Sequence, residues 1–473
     1  MLINKTIIGS QLNKYLKSGL GSVGEYNSNN QWNFNGNNRN LNNNNRYNSN
    51  FRSRPCSDYI TTGEQSVNQY TIQLEDIQLI EESCKSTKSN CVIFRINKIH
   101  NIVDIWHKIN NKNVKITTAT VFSITIPKLR EIIYCNYSDK LVQSFYVFSL
   151  KSYLEQYWFD FDSYSCRTNK GVLKAVNAYR EYMKVASDNF TNNEVYLASL
   201  DIKRFFNNID CKLLAEKMCD FINKNLKEHP NKEMLLYLTK CLYIIDWHSI
   251  EIKKACSNDY VIVPPDRSLL SSDPYIGAPI GNWPSQVGGN FITTFALIFI
   301  RGLGYKYLIH YTDDTSLVIL DKNKYLKDIP IIEQYYKEVL HLELHKNKRY
   351  LQHISKGITF LGRRIKFDRC IASKRTISSI NILVNNICIK NKRYIKNNCE
   401  SISQSINSYF GMLIHMTMYN YRKDILIKIE ENLGNYFCID KEKYNKITVK
   451  PEFTLRNRYI NNKKKRINNE KIW

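Results

Sequence analysis

The chain of 473 residues has no apolar run of 18 or more, the length a helix needs to cross a bilayer. Its start also lacks the pattern of a secretion signal, so the expectation is a soluble, intracellular protein with no membrane partner. No Cys-x-x-Cys pair occurs among its 13 cysteines, which argues against a zinc ribbon. An odd number without framework spacing points to reduced thiols and a cytoplasmic setting. Acidic residues are scarce: 43 Asp and Glu stand against 68 Lys and Arg, and the net charge of +25 calls for a polyanionic partner. Heavy use of Asn, Ile, Lys and Tyr, as an AT-rich coding sequence would produce, is an alternative source for part of that excess. Aliphatic side chains almost vanish between Asn27 and Asn50, where 14 residues are asparagine. Such a segment cannot offset its own ordering entropy and reads as a disordered, low-complexity arm. Over the whole chain 43% apolar residues suffice for a substantial core divided among several domains or subdomains.

What is there is organised around Leu308-Ile309-His310-Tyr311-Thr312-Asp313-Asp314-Thr315-Ser316-Leu317-Val318-Ile319-Leu320. Two runs of apolar, β-branched and aromatic residues flank a pair of carboxylates, which predicts a β-hairpin with Asp313 and Asp314 at its tip. Like charges held together need a cation, and hard oxygen ligands suit magnesium; a solvated Asp-Asp turn is the plain alternative. A second strand, Glu194 to Leu200, runs into Asp201-Ile202-Lys203-Arg204-Phe205-Phe206. A carboxylate at the end of one strand can meet the hairpin tip of its neighbour, the layout of a two-metal nucleotidyl-transfer site.

With Asp201 followed by Tyr311-Thr312-Asp313-Asp314, the chain resembles a template-dependent polymerase palm of the reverse transcriptase type, whose hallmark is Tyr-x-Asp-Asp. The resemblance covers about residues 120–425 and implies an α+β right-hand fold with fingers, palm and a helical thumb. It divides the chain into an N-terminal arm (1–69), fingers and palm (70–369), a helical thumb (370–440) and a basic tail (441–473). It also makes Asp201, Asp313 and Asp314 metal ligands, with the Ile202 backbone beside them, for two Mg2+ ions or for Mn2+ in their place. Ile126 to Tyr134 and Ser163 to Gly171 resemble fingers motifs, so Arg130, Arg167 and Lys170 are expected on the triphosphate and template, arginine's planar fork being suited to phosphate. Phe206, five positions after Asp201, is expected beneath the sugar of the incoming nucleotide, where a 2′-hydroxyl would collide with it. Asp210 reads as structural.

Gly277-Ala278-Pro279-Ile280-Gly281-Asn282-Trp283-Pro284-Ser285-Gln286 sets a turn before a helix starting near Ser285 and running to Ile300. Most reverse transcriptases resemble Gln-Gly-x-x-x-Ser-Pro here. Ile280-Gly281-x-x-x-Ser285-Gln286 resembles the form in diversity-generating retroelement reverse transcriptases, relatives of the bacterial and phage group II intron-like enzymes. That implies copying a template-repeat RNA into cDNA with errors at template adenines, for mutagenic retrohoming and protein diversification. It also implies an accessory basic helical-bundle protein as partner, in a bacterial cytoplasm and with a phage origin open. Trp283-Pro284 departs from the Leu-Thr common in that family, and Thr312 from its Val or Ala. A phage-defence or retron-like reverse transcriptase is one alternative, and a non-catalytic RNA-binding scaffold is an alternative of another class.

Further on, Tyr325 to Leu340 predicts an amphipathic helix, and Lys348 aligns with the lysine that approaches the pyrophosphate leaving group as general acid or electrostatic stabiliser. Gly357 to Gly362 resembles the primer-grip hairpin, with a plain structural hairpin as the equal alternative. Residues 371–473 hold 20 Lys and Arg against 8 Asp and Glu and read as mostly helical, with Ser405 to Gly411 resembling the thumb helix motif. Such a thumb grips duplex through its phosphates. Lys463-Lys464-Lys465-Arg466 reads as a flexible basic arm. By the same resemblance residues 25–55 look like a template repeat read in frame, asparagine codons being rich in adenine.

Overall fold

The computed structural model describes residues 72–84, 89–125, 128–191, 194–255 and 261–454, with Lys348 described in its backbone alone. The Asn-rich arm and the Lys463-Lys464-Lys465-Arg466 tail lie outside the described residues. In chain order come α1 (Leu74–Ser83), α2 (Ser89–Ile96), α3 (Lys98–Asn110), β1 (Thr118–Ile124), β2 (Arg130–Cys135), α4 (Tyr137–Tyr157), α5 (Val172–Ala186), β3 (Tyr196–Asp201) and α6 (Phe205–Asn208). Then follow α7 (Cys211–Asn225), α8 (Lys232–Tyr243), β4 (Glu251–Lys254), α9 (Trp283–Gly302), β5 (Leu308–Tyr311), β6 (Asp314–Ile319), α10 (Lys322–Val339), β7 (Tyr350–His353), β8 (Ile358–Phe360), β9 (Arg363–Ile365) and β10 (Cys370–Ala372). The described chain ends with α11 (Lys374–Cys388), α12 (Lys392–Leu413), α13 (Tyr419–Leu433), β11 (Phe437–Ile439) and β12 (Ile447–Val449), so the class is α+β. No described helix is long and apolar enough to cross a membrane.

Local chemistry explains several helix starts. Asn136, Asp210, Asp321, Ser373 and Asn391 each accept an amide hydrogen from the first turn of α4, α7, α10, α11 and α12. These side chains satisfy donors that the helix itself leaves unpaired. Helix α9 starts two residues before the expected Ser285, because Pro284 sits in its first turn, where no amide hydrogen is required. The Asp321 cap likewise starts α10 three residues before Tyr325, and the helix continues through Pro330.

Strands β5, β6, β3 and β7 pair in that order into one antiparallel sheet. Side chains alternate across a strand, and here both faces are covered. Ala198 and Leu200 of β3 and Leu317 and Ile319 of β6 join a core with helices α1 to α4 and α7 to α10. Leu197 and Val318, their neighbours, join a second core with α5, β8 to β10 and α11 to α13. Burial on two sides is why these strands read as near-continuous apolar runs ending in charge.

The pattern of 211–270 predicts one helix followed by irregular chain, and the structure adds a second helix and a strand there. Two helices, α7 and α8, precede β4, which pairs in parallel with β1 and makes a three-stranded sheet of order β2-β1-β4. A second omission is the β11–β12 hairpin at the end of the helical region. It is held by Asn407 of α12, whose side chain donates to the Ile447 carbonyl and accepts from its amide, both at 2.9 Å.

Candidate active site

The register of β3 against β6 sets Asp201 opposite Asp314, and Tyr311 pairs with Asp314 across the β5–β6 hairpin. Thr312 and Asp313 form its two-residue turn. All three carboxylate residues are partly exposed. The Ile202 amide donates to the Asp313 carbonyl (3.4 Å), the His345 amide to the Asp201 carbonyl (2.7 Å), and the Lys203 amide to the Glu343 carbonyl (2.8 Å). Asp201 to Lys203 is therefore gripped between the aspartate turn and the chain at 343–345. An open cleft of about 670 Å³ lies alongside, lined in part by Lys203, Glu343, His345 and Lys346. Among the described residues no three His, Cys, Asp or Glu side chains form a ready-made ion cage. Magnesium does not require one, since it is commonly held by one or two carboxylates with water and substrate phosphates. The hard-oxygen donors on two adjacent strands fit it in kind.

The turn itself is strained and heavily supported. Of its two central residues only Thr312 has a positive φ (+60°), as at the first position of a type II′ turn, where glycine is the favoured residue. A β-branched residue there costs about 1–3 kcal/mol and persists only where its surroundings hold it. The Thr312 amide donates to Ser165 Oγ (3.1 Å); that hydroxyl donates to Asn290 Oδ1 (2.6 Å), and Asn290 Nδ2 returns to the Ser165 carbonyl (2.7 Å). Behind the turn, His310 bonds Thr315 Oγ1 and Thr293 Oγ1, each at 3.0 Å, and is fully buried. Burial pushes its imidazole down to about 4. The strap 160–165 runs beside β5: the His310 amide donates to the Asp162 carbonyl and the Tyr164 amide to the His310 carbonyl, both at 2.9 Å. Arg301 fastens that strap to α9, bonding Asp160 (2.6 and 2.9 Å) and Asp162 (2.7 Å). None of Ser165, Asn290, His310, Asp160, Asp162 and Arg301 was singled out from sequence. Each is an ordinary polar residue whose role exists only through partners far away in the chain.

The other expected residues divide into groups. The Ile133 amide of β2 donates to the Ile280 carbonyl (3.0 Å), and the Cys135 amide to Asn282 Oδ1 (3.2 Å), so the β1–β2 hairpin docks on the Ile280-Gly281-Asn282 turn. Gly281 has φ +127°, and a Cβ there would lie 2.9 Å from the Ile133 carbonyl oxygen. Arg130 is exposed at the start of the same strand. On the other side of the turn, the Ala278 amide donates to the Phe206 carbonyl (2.7 Å). Phe206 is half-buried and packs on Phe205 (ring centroids 5.1 Å apart), while Phe205 fills the core against Gly289. Ser285 is buried in the first turn of α9; Gln286 is exposed and accepts from the Cys166 thiol at 3.5 Å.

Two of the residues expected on the triphosphate are engaged internally. Arg167 is turned inward: it pairs with Glu155 through Nε (2.8 Å) and Nη2 (2.7 Å), and its Nη1 donates to the carbonyls of Ser163 (2.9 Å) and Asp160. A phosphate would have to compete with Glu155 for it. Lys170 donates to the Phe161 carbonyl (2.6 Å) and lies over the Phe161 and Tyr164 rings. Burial, with the Arg167 charge nearby, lowers its pKa. Tyr311 is partly buried. Asp210 caps α7 through the Lys212 and Leu213 amides, both at 3.0 Å, and meets His341 Nδ1 at 2.9 Å, a structural role as read. The side chain of Lys348 lies outside the described residues.

No family model matches this chain, and no curated protein does. Among solved structures, it is similar to telomerase from Candida albicans, determined in complex with the TWJ fragment of telomeric RNA, at 11% identity and a TM-score of 0.40. The match covers 69% of this chain and spans 56% of that one. A likeness this distant decides nothing about chemistry.

Proposed function

We propose that this chain is an RNA-directed DNA polymerase that extends a primer by attack of a 3′-hydroxyl on a deoxynucleoside triphosphate. The observation that carries the reading is the placement of Asp201 opposite Asp314, with Asp313 in the turn between β5 and β6. Asp201, Asp313 and Asp314, with the Ile202 backbone, would hold two Mg2+ ions, or Mn2+ instead. Such ions activate the attacking oxygen and neutralise charge on the phosphates. Around that site, Gly281 gives the nascent base pair a floor without a side chain, and Phe206 lies beneath the sugar and rejects a 2′-hydroxyl. Arg130 reaches the triphosphate as an exposed fork; Arg167 and Lys170 shape the strap beside it. Lys348 serves the leaving group from the 343–349 segment. Residues 70–369 are fingers and palm, 370–440 a thumb on the RNA–DNA duplex, and 441–473 a basic tail.

Within that class we infer the diversity-generating kind, on the strength of Ile280-Gly281-x-x-x-Ser285-Gln286 and the Asn-rich arm. Ile280 supplies no side-chain hydrogen bond to the nascent pair, which accords with misreading of template adenines. A basic helical-bundle protein and a bacterial cytoplasm belong to the same reading. The test is RNA-templated primer extension with magnesium and four deoxynucleotides, repeated with that accessory protein if its gene is adjacent, followed by sequencing of the product. Expected are cDNA with errors concentrated opposite adenines, and loss of at least about 10³-fold in rate for Asp313→Ala or Asp201→Ala with RNA binding retained. Accurate cDNA would move the assignment to a phage-defence or retron-like enzyme. RNA binding without product, from wild type and both variants alike, would favour the scaffold.

A further inference from the structure

We propose that Ser165 and Asn290 are positioning residues that hold the Asp313–Asp314 turn in its working conformation, an assignment resting on the polymerase reading of that turn. Thr312 occupies a left-handed position that suits glycine, and its amide donates to Ser165 Oγ at 3.1 Å. Ser165 in turn is oriented by Asn290, which accepts from its hydroxyl (2.6 Å) and donates to its carbonyl (2.7 Å). The two contacts run in opposite directions between the same residues, so they set both the position and the rotamer of the hydroxyl. Ser165 is 1% and Asn290 2% exposed, which leaves water no route to replace either contact. Asn290 belongs to α9, whereas Ser165 ends the strap that runs beside β5. The clasp therefore ties a core helix to the Tyr311–Thr312 peptide, one residue ahead of Asp313. A rotation of that peptide would swing Asp313 and disturb the register that puts Asp314 opposite Asp201.

The role is distinct from that of the carboxylates, because Ser165 and Asn290 are buried behind the turn whereas the aspartates are partly exposed. It also differs from plain packing, because what it holds is one backbone conformation that a different residue could adopt freely. Glycine at 312 would not need the clasp.

The test uses the full chain with Ser165→Ala, Asn290→Asp and the double variant Ser165→Ala/Thr312→Gly. Ser165→Ala is expected to melt within a few degrees of wild type and to exchange the Thr312 amide about tenfold faster, read by hydrogen-exchange mass spectrometry on the 308–316 peptide. Its single-turnover primer extension should fall about tenfold, with KM for deoxynucleotide within about threefold of wild type. Adding Thr312→Gly should restore most of that rate. Asn290→Asp keeps an acceptor for Ser165 but turns an oxygen toward the Ser165 carbonyl, so it should show the same rate loss; it also stands in if the alanine variant fails to fold. Unchanged Thr312 exchange in Ser165→Ala, a defect confined to KM, or no recovery with Thr312→Gly would each overturn the assignment. If the wild-type chain extends no primer, the polymerase reading fails, and amide exchange alone still decides whether the clasp holds the turn.

Discussion

His310 gives the site a pH dependence of its own. Its two ring nitrogens meet two threonine hydroxyls, and every direction of approach is buried. Burial would strip an imidazolium there of its hydration, so the ring stays neutral down to about 4, against an ordinary 6.5. Between those two values the unfolded chain binds the proton and the folded chain does not. The stabilisation is therefore complete above about pH 6.5 and is lost as pH falls toward 4, amounting to about 3 kcal/mol from this residue. Urea unfolding at pH 7.5, 6 and 5 checks it: wild type should weaken steadily over that range, and His310→Asn should flatten the slope. A wild type as stable at pH 5 as at 7.5 would remove the argument.

Elements meet at the Ile280-Gly281-Asn282 turn, where the β1–β2 hairpin docks through two backbone-directed contacts. Close approach of β2 is possible because position 281 has no side chain: any Cβ there would press on the Ile133 carbonyl and on Ile132, and φ of +127° is unfavourable to every other residue. Gly281→Ala is expected to destabilise the protein by about 1–3 kcal/mol and to depress primer extension by displacing the hairpin that carries Arg130. Thermal melting and extension rates measured together would check this. A variant that melts normally and extends normally would mean that the hairpin tolerates displacement. The β8–β9 hairpin uses the same device differently. Leu361 and Gly362, both with positive φ, close a two-residue turn of the kind that matches strand twist, and the expected hairpin at 357–362 is present whatever its role.

For the whole molecule the informative quantity is charge. The net +25 is spread along the chain, and nearly half of it lies in residues 371–473. Contacts between such a surface and nucleic-acid phosphates release counterions, so affinity depends steeply on salt. We expect binding to an RNA–DNA duplex to weaken by on the order of 10³-fold between about 50 and 200 mM salt, with little dependence on sequence. Fluorescence anisotropy across that range checks it, and a salt-insensitive affinity would argue that the basic excess reflects codon usage. The sheet contributes at this scale too. With separate cores on its two faces, it is a rigid partition, and the three aspartates lie at one end of it.

The sequence by itself determined what depends on near neighbours. Runs of apolar, β-branched and aromatic residues on either side of an Asp pair read as a hairpin from local propensity. Helix α7 follows from its Asp210 cap, α9 from the Gly-Pro turn before it, and the run ending at Asp201 is a strand because its residues suit one. Tertiary structure alone decided what depends on distant partners. Whether Asp201 faces Asp314 is a matter of register between strands far apart in the chain. Strand β4 is four residues long, with three of them charged, and exists only because β1 offers it an edge. Arg167, read as a phosphate ligand, is drawn inward by Glu155, a partner no local pattern announces. Ser165 and Asn290 are unremarkable until packing brings them together beneath Thr312. Local propensity acts over a few residues, whereas burial and pairing are set by the fold as a whole, and the support of this site belongs to the second kind.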